Sequence, residues 1–219
     1  MSEMAFLTWV RGTGLNIALG LFVLGMLWRL LEIYGLGRKK DLAPARNVAG
    51  ASGWHTIARR SMPPQGMLKR SPVSYVGGYI FHVGLFIVVF FFAPHIKLVE
   101  NLLGLSWPGL PSQVVDAVTV VTLATMLVVL FDRINKPVKR YLSTFGDYFA
   151  WALTFLPLLT GYLAARHLLL PYTSMLALHI LSVELLLAAL PFTKLIHVFT
   201  LFASRWYNGD MSGKRGVPV

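Results

Sequence analysis

The 219-residue sequence contains no cysteine. That excludes disulfides, zinc–thiolate sites, iron–sulfur ligation and covalent attachment of a c-type haem. Any redox centre held by this chain must therefore use histidine, methionine or noncovalent contacts. Charge is scarce as well. Charged residues make up 13% of the chain, where a soluble domain carries roughly 25%. Hydrophobic residues reach 56% and the mean hydropathy is +0.63, the composition of an integral membrane protein. Acidic residues are the scarcest, nine against twenty Lys and Arg, for a net charge of +11. In a soluble chain such an excess points to nucleic acid. In a chain this apolar, basic residues collect in cytoplasmic loops, so the expected surroundings are membrane lipid, with no nucleic-acid partner. Met1–Val10 holds Glu3 and lacks a basic start, so no cleavable signal peptide is expected.

Five stretches are apolar and long enough to span a bilayer: about Gly12 to Tyr34, Val73 to Ile96, Val114 to Phe131, Tyr148 to Ala165, and Ser174 to Phe202. No internal repeat and no low-complexity tract interrupts them. The expectation is one all-α membrane domain over residues 1–219, a five-helix bundle. Pro157 and Pro191 fall inside the last two spans and would kink them. The loops set the orientation. Gly37–Pro72 carries eight basic residues against Asp41 alone, the loop after the third span adds Arg133, Lys136, Lys139 and Arg140, and the tail adds Arg205, Lys214 and Arg215. The other side has Arg11, Lys97 and Arg166 with Glu3, Glu100 and Asp116. The bias places the N-terminus outside and the C-terminus in the cytoplasm of a bacterial or archaeal inner membrane.

Within the last stretch, His179 and His197 are eighteen residues apart. On one continuous helix that makes five turns, so both rings share a face about 27 Å apart along the axis. One imidazole would then lie near each membrane surface. Histidine inside a span is costly and usually functional, and imidazole is a common axial ligand of haem iron. Opposite ligands come from the second span, where depth pairs His82 with His197 and His95 with His179. Gly77, Gly78 and Gly84 would leave room for a flat macrocycle. Lys69, Arg70, Lys194 and Arg205 on one side, and Lys97 and Arg166 on the other, would neutralise propionates. His95 lies thirteen residues from His82, about 220° round a regular helix. Pro94 could bend the helix end and re-aim the ring, and a surface histidine in a turn is the plain alternative. His82 and His197 could instead be interhelical hydrogen-bonding groups. His167 is either a quinone-pocket or propionate residue, an interfacial side chain, or a reserve ligand, and His55 is solvated.

Glu184 is the acidic residue deep in the fifth span. It would accept a quinol proton near the outer haem or pair with Arg166 or a hydroxyl. Lys97, Glu100, Arg166 and His167 are the other candidates for a quinone site there, with Lys97, His167 and Glu184 foremost. Arg29 and Glu32 read as a local ion pair, and Phe90-Phe91-Phe92 as lipid-facing packing surface.

Pro191-Phe192-Thr193-Lys194-Leu195-Ile196-His197, eighteen residues after Leu178-His179, resembles the fifth helix of the respiratory nitrate reductase gamma subunit. Phe81-His82-Val83-Gly84 is similar to that family's second helix at its inner-haem ligand. The related membrane cytochromes of sulfite-reduction and heterodisulfide-reductase-like complexes share this domain, and the resemblance covers roughly Ser71 to Phe202. It implies a di-haem cytochrome b that moves electrons between the quinone pool and a cytoplasmic iron–sulfur protein subunit. His82 and His197 would hold the haem nearer the partner, and His179 the distal one. The family has a second histidine ten residues after the first, where this chain has Phe92. Either His95 takes that place or the outer haem is altered or missing. Alternatives are the cytochrome b subunit of a formate dehydrogenase or hydrogenase type complex, facing a periplasmic partner, and a transporter or assembly protein whose histidines bind metal or protons.

Overall fold

The computed structural model describes residues 2–36, 44–46 and 53–217. The part of the basic loop at 37–43, with Arg38, Lys39, Lys40 and Asp41, lies outside the described residues. The described residues are 83% helical, with no strand among them. Among the described residues, eight of the helices carry the architecture. They are α1 (Glu3–Gly35), α2 (Gly53–Arg60), α3 (Pro72–Phe91), α4 (Ala93–Leu103), α5 (Ser112–Asn135), α6 (Phe145–Ala165), α7 (Tyr172–Ala189) and α8 (His197–Lys214). Among them α1, α3, α5, α6 and α7 are long and apolar enough to cross a membrane, α7 together with the turn that extends it to Phe192. Their outward side chains are apolar, as lipid contact requires: Leu24, Leu31, Val83, Phe131 and Phe90 are all exposed.

The spans pack in the order α3–α5–α6–α7–α1. Small residues set the close approaches. Gly84 lies against Thr122 and Gly77 against Val129, which seats α3 on α5. These two glycines therefore serve helix packing, not the space for a macrocycle expected of them. Only Gly78 of the three faces open space. On the other flank Leu7 and Val10 of α1 pack with Ala177 of α7. Gly25 meets the turn after α7, where a Cβ would stand 2.8 Å from Pro191 Cβ and Phe192 Cζ. Within α1, Val10–Gly14 forms a π-helical turn, a local widening that often marks a functional position. At the far end α2 packs on α8, Gly53 against Trp206 and Thr56 against Gly209. Among the described residues α3 and α7 do not pack closely on one another.

Two spans are broken where continuous helices were expected. The second ends at Phe91, not Ile96. Phe92 is extended at ψ 123°, and Ala93-Pro94 begins α4. Proline disfavours helix in the residue before it and offers no N–H to the carbonyl four residues back. That carbonyl, Phe90 O, accepts instead from Trp107 Nε1 at 2.6 Å, and Phe91 O accepts from Leu110 N at 3.0 Å. The fifth stretch is not one helix from Ser174 to Phe202. α7 stops at Ala189, 3₁₀ turns at Leu190–Phe192 and Lys194–Ile196 follow, and Thr193 between them is extended. His197 therefore opens α8 and does not continue the helix of His179, so the five-turn count does not describe their relation. The Pro191 carbonyl is taken by Arg29 Nε at 2.9 Å, while Arg29 Nη1 pairs with Glu32 at 2.6 Å as expected. Pro157 interrupts nothing visible, and α6 runs through it.

Gly25→Val should lower the unfolding free energy in detergent by about 1–3 kcal/mol, the usual cost of overpacking. Gly20, with nothing within 4 Å of a Cβ, should accept alanine without loss. Equal unfolding midpoints for Gly25→Val and the unaltered protein would contradict this packing.

Candidate functional site: two imidazole pairs between spans

Four histidines converge between α3–α4 and α7–α8 in two pairs. His82 and His197 have ring centroids 6.2 Å apart with planes inclined at 71°. His95 and His179 are also 6.2 Å apart, with planes at 19°. The pairing is the one that depth along the spans suggested, with the bend expected at Pro94 taking the form of a full break at Phe92 and the kink expected at Pro191 ending the helix. The break at Phe92 is what brings His95 round. It starts a new helix whose first turn points His95 Nδ1 back at Val88 O, 3.0 Å away. The break at Pro191 does the same for His197, whose Nδ1 lies 2.7 Å from Lys194 O.

The other two rings are fixed the same way. His82 Nδ1 is 2.7 Å from Gly78 O, and His179 Nδ1 is 3.1 Å from Pro157 O. A carbonyl can only accept, so in each case Nδ1 carries the hydrogen and Nε2 keeps its lone pair. That is the arrangement by which proteins orient metal-bound imidazoles. The spacing also fits. A metal–imidazole bond of about 2 Å on each side, plus about 1.1 Å from nitrogen to ring centre, gives centroids about 6.2 Å apart. Each pair thus has the ring separation of two imidazoles that share one metal centre.

Sequence reasoning missed the supports of His179. Gly161 makes room for its ring, since a Cβ there would stand 2.9 Å from Cε1. Thr160 Oγ1 lies 3.4 Å from His179 Nδ1 and 3.1 Å from Ser182 Oγ. The one sequence signal for them was the spacing Pro157–Thr160–Gly161 on a helix beside the histidine.

A cavity of about 480 Å³ adjoins the His95–His179 end, lined by Phe92, Pro94, Asp116, Arg166, His167 and Tyr172 among others. Arg166 Nη2 pairs with Asp116 at 2.7 Å, not with Glu184 as one reading had it. The His167 ring lies 4.9 Å from that of Tyr172, and its backbone is left-handed at φ 54°. Lys97 and Glu100 are exposed on α4 and do not line this cavity. Glu184 does not line it either. It is 4% exposed on the α1 side of α7, close against Gly14. At the other end, Lys194 Nζ is bound to Asp147 at 2.8 Å. Asp147 also closes the capping box of α6 with Thr144, so Lys194 is held by protein.

These features define a multi-pass, all-helical membrane protein with two facing histidine pairs. A curated protein of Nitratidesulfovibrio vulgaris, described there simply as "Protein", is 35% identical over 218 residues, covering 97% of this chain and 95% of that one. The chain belongs to the same family as that protein. No family model matches the sequence, and no solved structure matches the fold.

Nitrogen-15 NMR of histidine-labelled protein should show the Nδ1–H tautomer at His82, His95, His179 and His197. Gly161→Val should displace the His179 resonances and leave those of His82 and His197 in place. An Nε2–H tautomer at these rings would contradict the geometry.

Proposed function

We propose that this protein is the membrane cytochrome b subunit of an oxidoreductase complex, holding two b-type haems between the quinone pool and an iron–sulfur partner. The observation that carries the reading is the matched pair of imidazole clamps, each at 6.2 Å. All four Nδ1 atoms are engaged by backbone carbonyls. Haem is favoured over a bare ion because neither pair gathers a third His, Cys, Asp or Glu among the described residues. A macrocycle supplies four nitrogens of its own and needs only the two axial ligands. His82 and His197 hold one haem, and His95 and His179 the other; His95 fills the place that the nitrate reductase gamma-like pattern gives to position 92. When bound, the two haems supply one-electron redox chemistry on both sides of the bilayer. The protein's part is to fix ring orientation through the carbonyls and to keep α3 and α7 apart.

Quinol or quinone is the small substrate. The cavity at the His95–His179 end meets Phe92 and Pro94, the residues of the break that sets His95. Its Arg166–Asp116 pair, His167 and Tyr172 offer donors and acceptors to a quinone headgroup. By the distribution of basic loops that end faces outward, and the His82–His197 end faces the cytoplasm. There α2 and α8 carry Arg60 and Arg205, and Lys69 and Arg70 stand exposed just ahead of α3. This basic face suits an acidic iron–sulfur protein, since complementary charge steers docking. The same bias argues against a formate dehydrogenase or hydrogenase type subunit with a periplasmic partner.

The test is a reduced-minus-oxidised spectrum with haem counted per chain. The unaltered protein should give two low-spin b haems. His82→Ala and His197→Ala should each remove one, and His95→Ala and His179→Ala the other. Two haems retained in any of these variants would contradict its assignment. Neutralising Arg59, Arg60, Lys69 and Arg70 together should release the copurifying partner while quinol still reduces both haems. Survival of the complex would place the partner elsewhere.

A further inference from the structure

Glu184 is buried in the middle of α7, 4% exposed, and its Oε1 has no hydrogen-bond partner. The carboxylate is received by the π-helical turn of α1. At Gly14, the last residue of that turn, a Cβ would stand 2.8 Å from Oε2 and 3.1 Å from Oε1. A widened turn ending on glycine opposite the carboxylate makes a built seat for it. Among the described residues no base is paired with it.

The charged groups on the surrounding elements are engaged or remote. Glu3 and Arg11 are exposed towards the start of α1, and Arg29 is held by Glu32 and Pro191 O. On α6, Asp147 pairs with Lys194. Arg166 just after α6 pairs with Asp116, and Tyr148 and Tyr162 are half-buried. On α7 itself, His179 Nδ1 is committed to Pro157 O. An ionised carboxylate in such a place needs a compensating positive charge. Five residues away, about 7.5 Å along the axis, His179 reaches the outer clamp.

We propose that Glu184 is a proton-binding site coupled to reduction of the centre held by His95 and His179, an inference that rests on the di-haem reading. A haem bound there would carry one net positive charge at its core when ferric, which would balance an ionised Glu184. A quinol donor, left as the semiquinone, would supply one electron and one proton: the electron would cancel that charge, and the proton would add to the Glu184 carboxylate to give the acid. Oxidation reverses both events. Charge within the bilayer stays balanced at each step.

The experiment is a redox-induced infrared difference spectrum of the full-length, haem-loaded protein in H₂O and D₂O, with potentiometric titration of each haem against pH. Reduction of the outer haem should bring up a protonated-carboxyl C=O band that shifts in D₂O, and Glu184→Gln should lose it. The reduction equilibrium of that haem should fall by up to tenfold per pH unit, about 59 mV for one electron. Glu184→Gln should flatten this slope and leave the His82–His197 haem unaltered. If the glutamine variant does not fold, the D₂O-sensitive band of the unaltered protein still decides. Both haems present with no such band, or an equal slope in Glu184→Gln, overturns the inference alone. No haem at all overturns the di-haem reading and this inference with it.

Discussion

Every backbone N–H and C=O at membrane depth needs a partner within the protein, because lipid offers none. The structure turns on how that demand is met where two spans break. At Phe92 the released carbonyls of Val88, Phe90 and Phe91 are taken by His95 Nδ1, Trp107 Nε1 and Leu110 N. Around Pro191 the partners are Arg29 Nε on Pro191 O and His197 Nδ1 on Lys194 O. Histidine thus does two things at once. It satisfies a carbonyl through Nδ1 and leaves the lone pair on Nε2. The hydrogen bond that repairs the break is the one that orients the ring.

The same economy explains the uneven packing. α3 is drawn onto α5 by Gly77 and Gly84, and α7 onto α1 and α6, so close contact lies on the outer flanks of the histidine pairs. Between α3 and α7, side chains and not backbones face each other. A third residue type recurs at the supports: Gly14 under Glu184, Gly25 under Pro191 and Gly161 under His179 each occupy a site that a Cβ would fill. Their cost in helix propensity, roughly 1 kcal/mol apiece, is met by the groups they admit.

Hydropathy alone located the five spans, because apolar length is a strong signal. Matching His82 with His197 and His95 with His179 needed only chain direction and depth. What sequence could not show was the route. A regular helix puts His95 about 220° from His82, and only the break at Phe92 resolves that. Likewise the count of five turns from His179 to His197 assumed a helix that Pro191 ends. Pro94 and Pro191 were visible, but proline announces a bend without its direction. Glu184 was legible as a buried acid and illegible as the neighbour of Gly14, since a helical position does not state which partner helix covers it. Arg166 was likewise free to choose between acids until Asp116 was found beside it.

The central claim, that each histidine pair clamps one haem, is tested most directly by electron paramagnetic resonance of the oxidised protein. Ferric haem between two imidazoles is low-spin, and its signal depends on the angle between the ring planes. The pairs differ in that angle, 19° for His95–His179 and 71° for His82–His197. The account predicts two distinct low-spin signals of equal intensity: a rhombic one from the near-parallel pair and a strongly anisotropic one from the steeply inclined pair. A single signal, a high-spin centre or the absence of haem iron would contradict it.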